Sequence, residues 1–232
     1  MAARHSFDKV NYLPHGRLCF LFCQSIHTDP FQVVIVGAGP SGLLLALLLA
    51  KAGIPVHIIE AEDHLNDQPR AAHYGPAAIP DLQRAGIIDE IRRRGINVHG
   101  MCWRRFEDHG YIAGFDGSVL KDVQGDIRTA CLVLQDLVRL MLDVFLTKYN
   151  GQISWQHRVI NLGQDEDKAW IECETPQGKK TVTADYIVGC DGATSAVRKG
   201  LFGSDFPGFT WDRQIVATNV STAHSTDFHA WR

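Results

Sequence analysis

The sequence predicts an α/β fold in which a parallel sheet carries helices and is followed by antiparallel β hairpins. Three observations predict it. Two short apolar, β-rich runs, Val33-Val34-Ile35-Val36 and Val56-His57-Ile58-Ile59, bracket a Leu/Ala-rich stretch of helix length. The first run ends on a glycine cluster, Gly37-Ala38-Gly39-Pro40-Ser41-Gly42, placed where a strand must turn into a helix. Further on, three strand-like runs are separated by turn-forming residues, as in hairpins. A βαβ unit of continuous apolar strands needs cover on both faces of its sheet, which is the Rossmann-like arrangement.

Taken in order, residues 1–30 read as an N-terminal extension. Leu18-Cys19-Phe20-Leu21-Phe22-Cys23 is too short for a signal h-region, and no small-residue cleavage site follows closely. A strand is expected over 32–36 and a helix over 43–52, stopped by Gly53 as a C-cap, then a second strand over 55–60. Residues 33–50 carry no charge, yet the glycine-proline cluster inside them would break a membrane helix, so no membrane span is expected. Residues 77–94 have helical spacing with breaks at Pro80 and Gly86, and 101–117 are aromatic and glycine-bearing, fit for strands or loops. Leu134, Leu137, Val138, Met141, Leu142 and Phe145 form one stripe of an amphipathic helix over 132–149. Strand-like runs follow at 153–160, 169–175 and 181–188, with hairpin turns at 163–167 and 176–178. Val188-Gly189-Cys190-Asp191-Gly192 ends a strand in a tight loop, and 214–220 reads as one more strand.

Composition narrows the function. The chain has 232 residues, 45% hydrophobic and 21% charged, enough for one sizeable core. Its 23 basic and 26 acidic residues give a net charge of −3 with no basic stripe, which argues against nucleic acid. Cys19, Cys23, Cys102, Cys131, Cys173 and Cys190 form no CxxC pair and no zinc spacing with histidine. Reduced thiols in the cytoplasm fit better than a disulfide scaffold or a metal site.

Gly37-x-Gly39-x-x-Gly42 has the spacing of a dinucleotide fingerprint in its proper context, after a strand and before a helix. Gly37 permits the tight turn, Gly39 the approach of a pyrophosphate, and Gly42 close packing of helix on strand. The helix start offers free N–H groups and a partial positive charge to phosphates. Glu60 ends the second strand, where a carboxylate can accept both hydroxyls of an adenosine ribose and would repel a 2′-phosphate. The bland alternative is a simple turn and a solvated acid, but it leaves the joint register unexplained. The fingerprint suits FAD or NAD and does not separate them, so an NAD-dependent dehydrogenase stays open at this point.

The run from Val33 through Gly37, Gly39, Pro40, Ser41 and Gly42 to Leu43 resembles the opening of the group A flavoprotein monooxygenases, the class of para-hydroxybenzoate and phenol hydroxylases. Three later features are similar to that family. Pro69-Arg70-Ala71 lies where the family places an arginine near flavin and pyrophosphate. Gln135 matches its cofactor-contacting glutamine, and Asp191-Gly192, within Cys190 to Arg198, its Asp-Gly motif. Alone, Arg70 reads as a surface cation, Gln135 as a helix former and Asp191-Gly192 as a turn. The wording at 67–74 and 207–211 is closest to fungal aromatic hydroxylases. Tyr74, Trp103 and Trp211 are candidates for an aromatic pocket, although large aromatics are more often core.

The resemblance implies an FAD-dependent monooxygenase that uses NADPH as a transient co-substrate and O2 to hydroxylate an aromatic or polyketide-type small molecule. The cofactor does the difficult chemistry in this family, so no side chain is assigned a catalytic role. The implied division is an extension at 1–30, FAD-binding parts at 31–105 and 131–208, a substrate-domain excursion at 106–130, and the start of a substrate sheet at 209–232. The family's later Gly-Asp motif has no match, since Gly125-Asp126 is followed by Ile-Arg-Thr and precedes Asp191. A C-terminally truncated member with an incomplete β-sheet substrate domain is therefore expected, marginally stable and with apolar surface exposed. An inactive nucleotide-binding fragment is the competing expectation.

Overall fold

The computed structural model describes residues 31–213 except 67, 69–72, 99 and 124–125. The extension at 1–30, the Pro69-Arg70-Ala71 segment and the strand expected at 214–220 lie outside the described residues.

β1 (Val33–Val36) and β2 (Val56–Ile59) pair in parallel around α1 (Pro40–Lys51), and all eight strand residues are buried. Alternation splits them between two cores. Val33, Ile35, Val56 and Ile58 pack with Leu43, Ala46 and Leu47 of α1, whereas Val34, Val36 and Ile59 face the opposite side. α1 starts three residues earlier than expected, because a proline in the first turn lacks only an N–H that the helix could not bond anyway. Gly53, at φ 79°, then turns the chain.

The expected helix at 77–94 is two helices, α2 (Ile79–Ala85) and α3 (Ile88–Arg94). Gly86 breaks it at φ 76°, but Pro80 does not: it lies in the first turn of α2, where proline starts helices. α4 (Leu134–Tyr149) buries Leu137, Val138, Met141 and Phe145 and packs on α1.

The stretch 153–188 departs from the expected hairpins. β8 (Gln152–Ser154) joins the parallel sheet beside β2, and β12 (Tyr186–Gly189) joins it beside β1, giving the order β12-β1-β2-β8. Only β9 (Arg158–Gln164), β10 (Ala169–Thr175) and β11 (Gly178–Ala184) form the antiparallel sheet. The first and the last of the three runs each contribute to two sheets, with Gln156 (φ 56°) and Asp185 at the corners, while 169–175 is β10 alone. Strand-forming composition marks extended backbone and carries no signal for a change of sheet. Gly163 also lies inside β9 and not in a turn, opposite Trp170, whose ring fills the space a Cβ would need. The turn falls at 165–168, where the Asp165 carboxylate accepts the amides of Asp167 and Lys168. α5 (Ala196–Phe202) closes the second core through Val197, against Val159, Ile171, Cys173 and Ala184. The result is helices, parallel sheet and antiparallel sheet in three layers.

A small sheet, β3 (His73–Tyr74), β7 (Ala130–Cys131) and β4 (Ile96–Asn97), sits at the root of a two-stranded ribbon. The ribbon is β5 (Gly100–Arg104) and β6 (Tyr111–Asp116), followed by a 3-10 turn over Gly117–Lys121, and every residue of its two strands is exposed. Among the described residues no helix is long and apolar enough to cross a membrane.

Candidate functional site

From β1 the chain runs outward through β2 to β8 and then returns to the far side of β1 as β12. At such a reversal, the loops leaving the carboxyl ends of two neighbouring strands diverge and open a crevice. Here those loops are 37–42 after β1 and 190–195 after β12, which meet by backbone contact. A Cβ on Gly37, at φ 106°, would stand 2.5 Å from the Cys190 carbonyl oxygen. On Gly42 it would stand 2.0 Å from the Gly37 carbonyl oxygen, so α1 presses directly onto the turn.

Gly39 is different. Its backbone is ordinary extended chain (φ −71°, ψ 178°), and a Cβ there would meet nothing within 4 Å. The fold does not need a glycine at this position. What glycine leaves is open space in front of the start of α1, where a ligand can reach the backbone. No side chain caps this helix and its first turn holds no acid, so its N–H groups and positive dipole end face that space. Pro40 and Ser41 are exposed at its rim. This arrangement suits a phosphate.

Glu60 follows β2. One of its carboxylate oxygens accepts the Ala38 amide at 2.6 Å and the other accepts the Glu62 amide at 3.0 Å. The acid is thus tied to the glycine turn itself. A carboxylate has about four acceptor sites, so it keeps room for sugar hydroxyls.

Asp191 spends its carboxylate inside the protein. It accepts the Ser195 hydroxyl at 2.5 Å and the Ala196 and Val197 amides at 2.6 and 3.3 Å, while Ser195 caps α5 by accepting the Arg198 amide at 2.9 Å. Gly192 takes φ 83° beside it with open space where a Cβ would be. The Cys190 and Asp191 backbone is what abuts Gly37. Gln135 is half-buried in the first turn of α4, the helix packed on α1. Arg70 lies outside the described residues. Tyr74 is a strut of the ribbon's root: its phenol donates to the Leu132 carbonyl at 3.0 Å, and burial pushes its pKa up to about 12. Trp103 and Trp211 are exposed.

The fold therefore gathers Gly37, Gly39, Pro40, Ser41, Gly42, Glu60, Asp191 and Gly192 at the carboxyl end of one sheet. Sequence reading missed Ala38, whose amide ties down Glu60, and the structural duty of Asp191. Ser195 was the available signal for the latter, since a serine just ahead of a helix is a strong cap.

Which dinucleotide belongs here is decided by similarity along the chain. A family model described as an FAD binding domain matches residues 30–231, including the antiparallel sheet and the Asp191 loop. The chain belongs to this FAD-binding domain family. A para-nitrophenol 4-monooxygenase from a Pseudomonas species is 38% identical over 199 residues, 81% of this chain and 46% of that protein. The 6-hydroxy-3-succinoylpyridine 3-monooxygenase HspB of Pseudomonas putida is 34% identical over 194 residues, 82% of this chain and 48% of its own length. Among solved structures, the p-nitrophenol 4-monooxygenase PnpA of Pseudomonas putida matches with a TM-score of 0.72 at 34% identity, covering 79% of this chain and 46% of PnpA. This FAD-binding domain spans about half the length of those relatives.

Proposed function

We propose that this chain is the FAD-binding part of a monooxygenase that hydroxylates an aromatic or polyketide-type small molecule with NADPH and O2. The observation that carries the reading is the open space at Gly39 before an uncapped helix, beside a carboxylate already tied to the same turn. In this reading the backbone at Gly37, Gly39 and Gly42, with Pro40 and Ser41, receives the pyrophosphate. Glu60 holds the adenosine ribose and keeps out a 2′-phosphate by charge. The backbone of Asp191-Gly192 lines the other side of the crevice, while Arg70 and Gln135 contact the cofactor farther along. When bound, FAD supplies the redox chemistry, taking electrons from NADPH and activating O2. The protein's part is to bind, orient and electrostatically select.

The named substrates of the two curated relatives, a nitrophenol and a hydroxypyridine, support a hydroxylated ring as substrate class. The thiols of Cys102, Cys131, Cys173 and Cys190, all free, support a reducing, cytoplasmic setting. The fungal type rests on the wording at 67–74 and 207–211, and a place in secondary metabolism goes with a polyketide-type substrate. The division at 105/106, 130/131 and 208/209 belongs to the same proposal.

The test is binding followed by turnover. FAD and ADP should bind the purified chain in competition with each other, NADP should not displace them, and para-nitrophenol should accelerate NADPH oxidation by the FAD-loaded protein. Failure to bind FAD or ADP sinks the cofactor assignment; binding without stimulated oxidation leaves a nucleotide-binding module and sinks the monooxygenase reading.

A further inference from the structure

The ribbon β5–β6 stands off the body, and its root is braced by charge. Cross-strand pairing puts Met101 opposite Phe115 and Trp103 opposite Ala113 on one face. Met101, Trp103 and Phe115 are each about half exposed. The path back from the ribbon to β7 runs through Asp126, a non-glycine residue held in the left-handed region at φ 47°. It is gripped from two directions. Arg92, from α3, donates Nη2 to the Asp126 carbonyl at 2.5 Å and places Nη1 3.1 Å from its carboxylate. Arg128 donates Nε and Nη2 to the two carboxylate oxygens at 2.8 and 2.9 Å. The three side chains are only 18%, 28% and 21% exposed in the order Arg92, Asp126, Arg128. The Arg128 bond, with help from the Arg92 charge, holds the Asp126 carboxyl down to about 2, so it stays ionised. Beside this cluster, a Cβ on Gly95 would stand 1.7 Å from the Cys131 carbonyl oxygen, so the end of α3 is pressed against the same root.

We propose that Arg92, Asp126 and Arg128 form a positioning latch that fixes the angle of the apolar ribbon to the FAD-binding body. The Arg92 fork bridges a carbonyl and a carboxylate of one residue, tying both backbone and side chain of the return path to a helix of the core. The ribbon is thereby a fixed wall and not a swinging flap. None of the three residues lies in the loops around Gly39, so the latch stands or falls independently of the cofactor assignment.

Asp126→Asn tests it, because asparagine tolerates the left-handed backbone and removes only the charge. Limited trypsin cleavage of the full chain is followed by mass spectrometry at Arg104, Arg105 and Lys121 in the ribbon. Lys179 and Lys180 in the β10–β11 hairpin serve as internal reference. The ribbon-to-reference ratio should rise about tenfold, as expected when a charge-assisted bond is lost from a local opening equilibrium. Arg92→Lys, which keeps the charge and loses the fork, should give an intermediate rise, with affinity for FAD unchanged in both variants. Should Asp126→Asn not yield soluble protein, Arg92→Lys decides alone. A ratio equal to wild type, or a parallel rise at ribbon and reference sites, overturns the latch.

Discussion

Gly37, Gly39 and Gly42 have separable duties. Gly42→Ala drives a Cβ into the Gly37 carbonyl and should cost about 1–3 kcal/mol by overpacking. Gly39→Ala meets no atom and no strained backbone, so its urea midpoint should equal that of wild type. Equal midpoints for all three proteins would contradict this division. His57 offers a pH test. It is buried on the inner face of β2, with Nε2 2.9 Å from the Ser154 hydroxyl and a ring contact with Phe31. Burial, aided by the charges of Lys180 and His157, holds its pKa down to about 4. The unfolded chain binds that proton near 6.5, so between about 6.5 and 4 the unfolded state holds more protons and stability is lost as the pH is lowered. His57→Leu should flatten the pH dependence of the melting temperature in that window; an unchanged slope would refute the assignment. At this scale the glycine spacing and Glu60 were legible, because fingerprint residues lie close together in sequence. The Ala38–Glu60 bond was not, since it spans 22 positions and depends on β1–β2 register.

At the level of elements, α5 depends on its cap. Ser195→Ala removes the acceptor for the Arg198 amide and one of the donors converging on the Asp191 carboxylate, and should cost about 1 kcal/mol in urea unfolding. A loss near zero would mean that the Asp191 carboxylate alone starts the helix. α1 to α4 were readable from periodicity and from Gly53 and Gly86, whose positive φ angles end α1 and α2, whereas α5 was not expected. Pro80 misled because proline both stops and starts helices, and only its position in the turn decides which. The sheets were less legible. β8 and β12 are three and four residues long and merge in sequence with strands of a different sheet, so pairing decides where each belongs.

Over the whole molecule, two apolar surfaces stand out among the described residues. One is the ribbon; the other comprises Leu201, Phe202, Phe206, Phe209 and Trp211, with Arg198 stacked 4.6 Å over the Phe206 ring. The isolated chain should therefore enhance the fluorescence of an apolar dye while still melting cooperatively; no dye binding would show that these surfaces are covered in solution. The cofactor crevice is built otherwise, from backbone, one carboxylate and a helix end. Titration of FAD into wild type and Gly39→Ala, with ADP as competitor, tests that most directly. Wild type should bind FAD and release it to ADP, while the equally stable variant should lose about tenfold or more in affinity, or about 1.4 kcal/mol. Identical affinities, with ADP unable to compete, would place the dinucleotide somewhere other than the turn between β1 and α1.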